Sequence, residues 1–208
     1  MKERKYILYL ALPLLLILAL LVVGNTVDFS RYPSAAADGA PWNKSWEMLG
    51  SAVGVEAPGH DLTFQTNNSV LAGEDTYYAS WTIGEPSPYT NEDGDQVDLY
   101  PAQLYLLLYG CEDEESARSA CQEFLDRERT TYDIKSEETV SHNGQGYTLL
   151  QYDCISDTNP YDRGASAFAV AGNYVFVAEL TCQENFGGDA AQILSDVLDG
   201  VHYSADLT

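Results

Sequence analysis

Basic residues are scarce in this 208-residue chain, which has 10 Lys and Arg against 32 Asp and Glu and a formal net charge of −22. After Arg163 the sequence contains no lysine or arginine. A surface with this charge repels phosphate groups, so the composition excludes nucleic acid as a partner and disfavours anionic lipid head groups. It favours a basic protein or another partner in the cell envelope.

Charged residues are also absent from residues 6–23, an apolar segment that follows Lys2, Arg4 and Lys5. At ~1.5 Å per residue this segment forms a helix of ~27 Å, close to the thickness of the hydrocarbon core of a bilayer. The flanking cations stay on the cytoplasmic side. The sequence therefore predicts a cytoplasmic head at residues 1–5, a transmembrane signal-anchor at residues 6–23, and a single-pass protein of the cell membrane whose carboxy-terminal domain lies outside the cytoplasm.

A cleaved signal peptide is the alternative for the same segment, and cleavage would make the protein secreted. The apolar run is longer than the h-region of a signal peptide, which has roughly 7–15 residues. The small-residue site at residues 35–37 lies well beyond the end of the run. We therefore expect a retained anchor, a linker at residues 24–41 that is rich in proline and alanine, and one extracytoplasmic domain at residues 42–208.

Cysteine is limited to Cys111, Cys121, Cys154 and Cys182, and no two of them form a C-x-x-C pair. The three histidines are not spaced beside them like zinc ligands, so we expect no metal site and no cofactor. An even number of cysteines outside the cytoplasm predicts two disulfides. If a helix covers residues 113–129, Cys111 and Cys121 are ~15 Å apart along the helix axis, too far for a bond, and the other pairings stay open.

Turn signals divide the apolar and aromatic runs of the domain. Asn-Gly at residues 143–144 and Gly-Asn at residues 172–173 each lie between two such runs, and so does the acidic loop at residues 91–95. Asparagine and glycine supply the positive φ angles that tight hairpin turns require. We therefore expect antiparallel strands on both sides of each turn, with one run over Val97–Tyr109.

Two segments have helical periodicity instead. The first has apolar residues at i, i+3, i+4, i+7 and i+8 over residues 117–125, with acidic residues before them and arginines after them, as the helix dipole favours. The second follows Asp189, presents one apolar stripe over residues 193–201, and has Gly200 as its stop. We predict an α+β fold: an antiparallel β-sheet with two amphipathic helices packed against it, preceded by one transmembrane helix.

The order of several strands, a helix, four strands in hairpins and a carboxy-terminal helix resembles the PsbP/Mog1-like α/β fold, in which helices flank an antiparallel sheet. The resemblance covers residues 46–203 and rests on that order and on the ending from Ala190–Leu194 to Val201–Tyr203. Photosystem accessory proteins, a Ran-binding protein and bacterial lipoproteins have this fold. The resemblance therefore implies an accessory or binding role, and no functional residue carries over.

An enzymatic alternative rests on Glu179-Leu180-Thr181-Cys182, which resembles the T-L-x-T-C motif that ends a strand in sortases. His142 lies upstream as a partner for thiolate chemistry. The resemblance implies a cysteine transpeptidase. It is incomplete, because sortases have an arginine after the cysteine that stabilises the oxyanion, and this chain has no arginine after Cys182.

Two further motifs lack a residue that their chemistry needs. The segment Gly164–Phe168 has the first glycine of a serine nucleophile elbow but phenylalanine in place of the second, so Ser166 is expected on a buried strand. The loop that carries Asp93, Asp95 and Asp98 has no carboxylate at the first or last position of an EF-hand. We expect a polar hairpin tip there, whose three aspartates are the groups that a weak ion site would use.

Aromatic residues are abundant, with 15 tyrosines and 3 tryptophans, and an early group consists of Trp42, Trp46, Tyr77, Tyr78 and Trp81. Such rings stack on sugars or anchor a partner where they are exposed. Strands also favour tyrosine for packing, and Trp81 is predicted to lie in the core.

Together these observations predict a membrane-anchored, extracytoplasmic binding or accessory module without catalytic activity. No catalytic, cofactor-binding or metal site is expected. The sortase-like transpeptidase is one alternative, and a cation- or glycan-binding domain is the other.

Overall fold

The computed structural model describes residues 46–49, 52–56, 60–69, 76–91, 93–155 and 159–204. The predicted head, transmembrane helix and linker, and Trp42, lie outside these residues. Within them, no helix combines the length and the apolar character needed to cross a bilayer.

The described residues form twelve strands and two helices. The strands are β1 (Trp46–Leu49), β2 (Val53–Glu56), β3 (Leu62–Ser69), β4 (Thr76–Ile83), β5 (Ser87–Thr90), β6 (Gln96–Leu99), β7 (Ala102–Gly110), β8 (Tyr132–His142), β9 (Gln145–Cys154), β10 (Arg163–Ala171), β11 (Tyr174–Cys182) and β12 (Val201–Tyr203). The helices are α1 (Glu114–Thr131), between β7 and β8, and α2 (Ala190–Asp199), between β11 and β12.

The largest sheet has seven strands in the order β3-β4-β7-β11-β10-β9-β8, and every neighbouring pair is antiparallel. A smaller sheet joins β1, β2 and β12, and β5 pairs with β6 as a separate hairpin. The predicted combination of a large antiparallel sheet and two helices is confirmed.

The two helices pack on opposite faces of the seven-stranded sheet. Successive side chains of a strand point to opposite faces. On β7, Leu104, Leu106 and Leu108 are fully buried in a cluster that includes residues of α2, whereas Tyr109 packs in the cluster that contains α1. We call these two surfaces the α2 face and the α1 face.

The α2 face carries the larger core. It includes Trp81, with 0 % of its surface exposed, together with Phe176 and the α2 residues Leu194 and Val197. The prediction that Trp81 lies in the core is confirmed. Strands of the small sheet add Val53, Val55 and Val201 to the same cluster.

Helix α1 begins at the acidic run, as predicted. The Asp113 side chain accepts a hydrogen bond of 2.8 Å from the backbone N–H of Ser116 and so caps the helix. Ala117, Cys121 and Leu125 are buried against the sheet. Because α1 packs mainly on β8, β10 and β11, it leaves the α1 face of β4 and β7 partly uncovered.

The predicted turns are present, with one correction. Asn143 and Gly144 have φ angles of 50° and 82° between β8 and β9, and Gly172 has φ 56° between β10 and β11. The loop at residues 91–95 closes the small hairpin of β5 and β6. The run Val97–Tyr109 is two strands and not one, because it is interrupted at Pro101, and proline has no N–H to donate to a central ladder.

Candidate functional site

A cleft of about 280 Å³ opens on the α1 face beside helix α1, where the helix leaves β4 and β7 uncovered. Its floor follows the strand register: Tyr105 lies opposite Glu179, and Tyr78 lies opposite Leu107, which lies opposite Val177. Helix α1 supplies the opposite wall. The lining residues are Tyr78, Tyr105, Leu107, Phe124, Arg127, Glu128, Phe168, Val177 and Glu179. We call this the tyrosine–glutamate cleft.

Four of the nine residues that line the cleft are aromatic. The rings of Tyr78 and Tyr105 stack with their centroids 5.7 Å apart and an angle of 30° between their planes. On the helix, the Cζ atom of Arg127 lies 5.1 Å from the centroid of the Phe124 ring, in a cation–π contact. These rings therefore give the cleft aromatic walls.

Glu179 lies at the inner side of the cleft and is held by two tyrosines. The Tyr152 hydroxyl donates a hydrogen bond of 2.6 Å to Oε1 of Glu179, and Tyr132 also forms a hydrogen bond with this carboxyl. The two tyrosine rings stack with their centroids 4.0 Å apart and their planes 9° from parallel. Burial raises the pKa of Glu179, and the hydrogen bonds and the charge of Arg127 oppose that rise.

Glu128 is the second carboxyl of the cleft. Its Oε2 atom is buried and has no hydrogen-bond partner among the described residues. Burial, and next the negative charge of Glu179, raise the pKa of Glu128 to about 7, and the positive charge of Arg127 opposes them. In the described part of the chain neither Glu128 nor Glu179 forms an ion pair with lysine or arginine.

Gly164 explains how Tyr152 reaches Glu179. Tyr152 on β9 pairs with Gly164 on β10, so its side chain crosses over β10 toward β11. A Cβ atom at Gly164 would lie 2.5 Å from the Tyr152 hydroxyl oxygen and 2.7 Å from the carbonyl oxygen of Leu180. The absence of a side chain at this position is therefore what allows the hydrogen bond to Glu179.

Paired carboxyls with raised pKa values can bind a positive charge or exchange protons. Oε1 of Glu179 already accepts a hydrogen bond from the Tyr152 hydroxyl. Oε2 of Glu128 has no hydrogen-bond partner among the described residues, so it is the carboxyl oxygen of the cleft that a donor group of a ligand would satisfy.

The structure does not bring together the two residues of the sortase-like alternative. Cys182 ends β11 beside Arg163 and Ala102, whereas His142 lies at the opposite end of the sheet, with its Nδ1 2.7 Å from Oδ1 of Asp199. Strands of about nine residues separate the two ends by roughly 30 Å. Burial also raises the pKa of the Cys182 thiol to about 12, so it is not a thiolate, and the transpeptidase alternative is wrong on geometry.

The four cysteines all lie in the described part of the chain, and no disulfide joins them in the structure. Cys111 follows β7 at the end of the sheet opposite to Cys154 and Cys182. Cys154 and Cys182 lie at the same end but on opposite faces, by strand alternation. Cys121 is buried on α1. The structure therefore shows four cysteines with no disulfide between them, although Cys111 packs against the buried cluster that contains Cys121.

The oxidation state of these cysteines can be measured directly. We expect Cys121, Cys154 and Cys182 to be labelled by a thiol reagent in denaturant without reductant, and to react slowly in the folded chain. Burial raises the thiol pKa of all three, in the case of Cys154 to about 11, which lowers the thiolate fraction. Mass spectrometry of the labelled peptides is the measurement, and a disulfide-linked peptide pair would contradict the expectation.

The remaining sequence motifs have structural roles. Ser166 is buried on β10, as expected for a strand residue. At the tip of the β5–β6 hairpin, the Asn91 side chain accepts a hydrogen bond of 2.8 Å from the backbone N–H of Asp95, and Gly94 has φ 87°. Among the described residues, no three histidine, cysteine or acidic side chains are grouped so that they could hold a metal ion.

Sequence reasoning missed the residues that form the cleft. Glu128 and Tyr105 were not singled out, and Glu179 was considered only as part of the sortase-like motif. Tyr78 was recognised as one of several early aromatic residues, and the structure shows its ring at the cleft.

Comparison with known proteins found likeness in structure alone. No family model matches the chain, and no curated protein matches it. Among solved structures, the cyanobacterial PsbP protein CyanoP from Synechocystis sp. PCC 6803 is 11% identical, with a TM-score of 0.38 over 67% of this chain and 92% of that one. CyanoP is a PsbP protein, and the PsbP group is one whose fold the order of elements in this chain resembles.

Two other solved structures are similar at the same level. A protein of unknown function from Pseudomonas aeruginosa, PA94, described as a putative regulator, is 12% identical, with a TM-score of 0.31 over 49% of this chain and 85% of that one. The extracellular domain of PknH from Mycobacterium tuberculosis is 14% identical, with a TM-score of 0.34 over 60% of this chain and 62% of that one. These values describe likeness of fold and carry no argument about ligands or activity.

Proposed function

We propose that this protein is a membrane-anchored, extracytoplasmic binding module without catalytic activity, and that its ligand occupies the tyrosine–glutamate cleft. In this proposal residues 6–23 anchor the chain and residues 42–208 form the domain outside the cytoplasm. The acidic composition suits a basic protein or another cell-envelope partner.

The observation that carries the proposal is the chemistry of the cleft. Concave sites with apolar and aromatic walls and a few convergent polar groups are the usual form of a ligand site. Here Tyr78, Tyr105 and Phe124 supply rings, and Glu128 and Glu179 supply carboxyls that form no ion pair with a basic side chain in the described part of the chain. A partly buried carboxyl without an ion-pair partner lowers the stability of the fold. Such a cost is typical of a binding site, where the bound ligand supplies the ion pair.

A cleft-filling substitution tests whether this is the binding site. Val177 is half-buried and lines the cleft, so Val177→Phe places a ring in the space that a ligand needs. We expect the full-length chain, purified in a maltoside detergent, to bind benzylamine or benzyl alcohol, and the variant to lose at least about 10-fold in affinity. Isothermal titration calorimetry and ligand-observed NMR measure the change.

The matched control is the same substitution away from the cleft. Val97 on β6 has 41% of its surface exposed and does not line the cleft, so Val97→Phe should leave the affinity unchanged. Failure of both probes to bind, or equal binding to Val177→Phe and to the unmodified chain, would overturn the cleft as the binding site.

A further inference from the structure

We propose that the tyrosine–glutamate cleft binds an organic cation, an ammonium or guanidinium group, whose charge lies against Glu128 and Glu179 and whose carbon atoms lie against Tyr78 and Tyr105. This inference rests on the proposed function, because it names the chemical class of the ligand for the same site.

The charges around the cleft favour a cation. The ionisable groups that line the cleft are Tyr78 on β4, Tyr105 on β7, Glu179 on β11, and Glu128 and Arg127 on α1. Tyr132 on β8 and Tyr152 and Cys154 on β9 do not line it but interact with its glutamates. Arg127 is the single permanent cation in that set, and its guanidinium stacks on Phe124 without an ion pair to either glutamate. A ligand cation would thus supply the counter-charge that the described residues do not.

Two features beyond the acidic pair point to the same ligand class. Oε2 of Glu128 has no hydrogen-bond partner among the described residues, and an N–H of a primary ammonium or guanidinium group, or the hydroxyl of choline, would satisfy it. The stacked rings of Tyr78 and Tyr105 offer the aromatic faces on which ammonium and guanidinium groups bind through cation–π contacts.

The walls favour an organic cation over a metal ion. Calcium requires six to eight oxygen ligands, and magnesium requires near-octahedral oxygen coordination. Leu107, Phe168 and Val177 line the cleft with carbon atoms and offer no oxygen from their side chains. Such walls suit the aliphatic part of an organic ammonium or of a lysine or arginine side chain.

The test compares choline with 3,3-dimethyl-1-butanol, its uncharged carbon analogue of the same shape, on the full-length chain in maltoside detergent. We expect choline to bind at least about 10-fold more tightly than the alcohol. Glu128→Gln and Glu179→Gln should each remove most of that difference, and thermal melting should show that each variant is folded. Glu123→Gln, an exposed site on α1 outside the cleft, changes the net charge equally and should preserve the difference.

Each outcome decides the question. Equal affinity for choline and the alcohol, with loss of both in Val177→Phe, would overturn the cationic ligand and leave the binding site in place. If choline affinity falls equally in Glu123→Gln and Glu128→Gln, the overall charge attracts the cation, and the inference is overturned. The inference is also overturned if choline, Nα-acetyl-lysinamide and Nα-acetyl-argininamide all fail to bind.

Nα-acetyl-lysinamide and Nα-acetyl-argininamide also distinguish two sources of the cationic group, a protein partner and a small organic compound. Tighter binding of Nα-acetyl-lysinamide or Nα-acetyl-argininamide than of choline would indicate a basic side chain of a protein partner. Tighter binding of choline would indicate a small organic ammonium compound.

Discussion

The variant Gly164→Ala is expected to lower the free energy of unfolding by ~1–3 kcal/mol, as overpacking of a well-packed site does. The added Cβ would lie 2.7 Å from the carbonyl oxygen of Leu180, a backbone atom of the paired strand that cannot move without disturbing β11. It would also lie 2.5 Å from the Tyr152 hydroxyl, which would have to leave Glu179. Chemical denaturation is the measurement.

Gly146→Ala is the matched control for this prediction. Gly146 also lies on a strand, β9, but it is exposed and a Cβ there would meet no atom within 4 Å. Because alanine reduces the backbone entropy of the unfolded chain, this variant should be neutral or stabilising by up to ~1 kcal/mol. Equal effects of the two substitutions would contradict the role given to Gly164 in letting Tyr152 cross the sheet.

Local elements of the fold could be predicted from the sequence because each has a local cause. Both helices start where an aspartate caps the backbone: Asp113 accepts from Ser116, and Asp189 accepts from Ala191 and Gln192. The hairpin turns follow from the positive φ angles of asparagine and glycine.

The small sheet and the strand order could not be predicted in the same way. In the small sheet Val55 pairs with Val201, almost the length of the domain apart, and no turn signal joins two such strands. Strand β8 starts at Tyr132 directly after α1, so no loop residues mark the boundary. The strand and helix patterns predicted the class of fold, whereas the order of the strands and the small sheet depend on pairing between distant residues.

The cleft left a weak signal in the sequence. Along α1, the buried positions Ala117, Cys121 and Leu125 define a stripe, and Glu128 falls at the next position of that stripe, three residues after Leu125. On β11, Glu179 lies on the same face of the sheet as Val175 and Val177, because the three positions are two residues apart. An acidic residue on an apolar stripe marks a site, but the high acidic content of this chain hides such residues among many solvated ones.

The stability of the domain should fall as pH rises from about 5 to 8, with Glu128 contributing ~2 kcal/mol of that fall once solvent screening is allowed for. The pKa of Glu128 is raised from its ordinary value of 4.5 to about 7 in the folded chain. Below pH 4.5 both the folded and the unfolded states carry the proton on Glu128, so its contribution to the stability is fully present. Between pH 4.5 and about 7 only the folded state retains this proton, so each rise in pH favours unfolding.

Comparison with Glu128→Gln isolates this effect from the general repulsion of an acidic surface. Glutamine keeps the shape and cannot ionise, so the variant should be more stable than the unmodified chain at pH 8 and gain much less at pH 5. Glu123→Gln removes one exposed charge on the same helix, and its difference from the unmodified chain should change little with pH. Urea denaturation at several pH values measures all three proteins. Parallel stability curves for Glu128→Gln and the unmodified chain would mean that Glu128 is already ionised at pH 5, and would contradict the raised pKa.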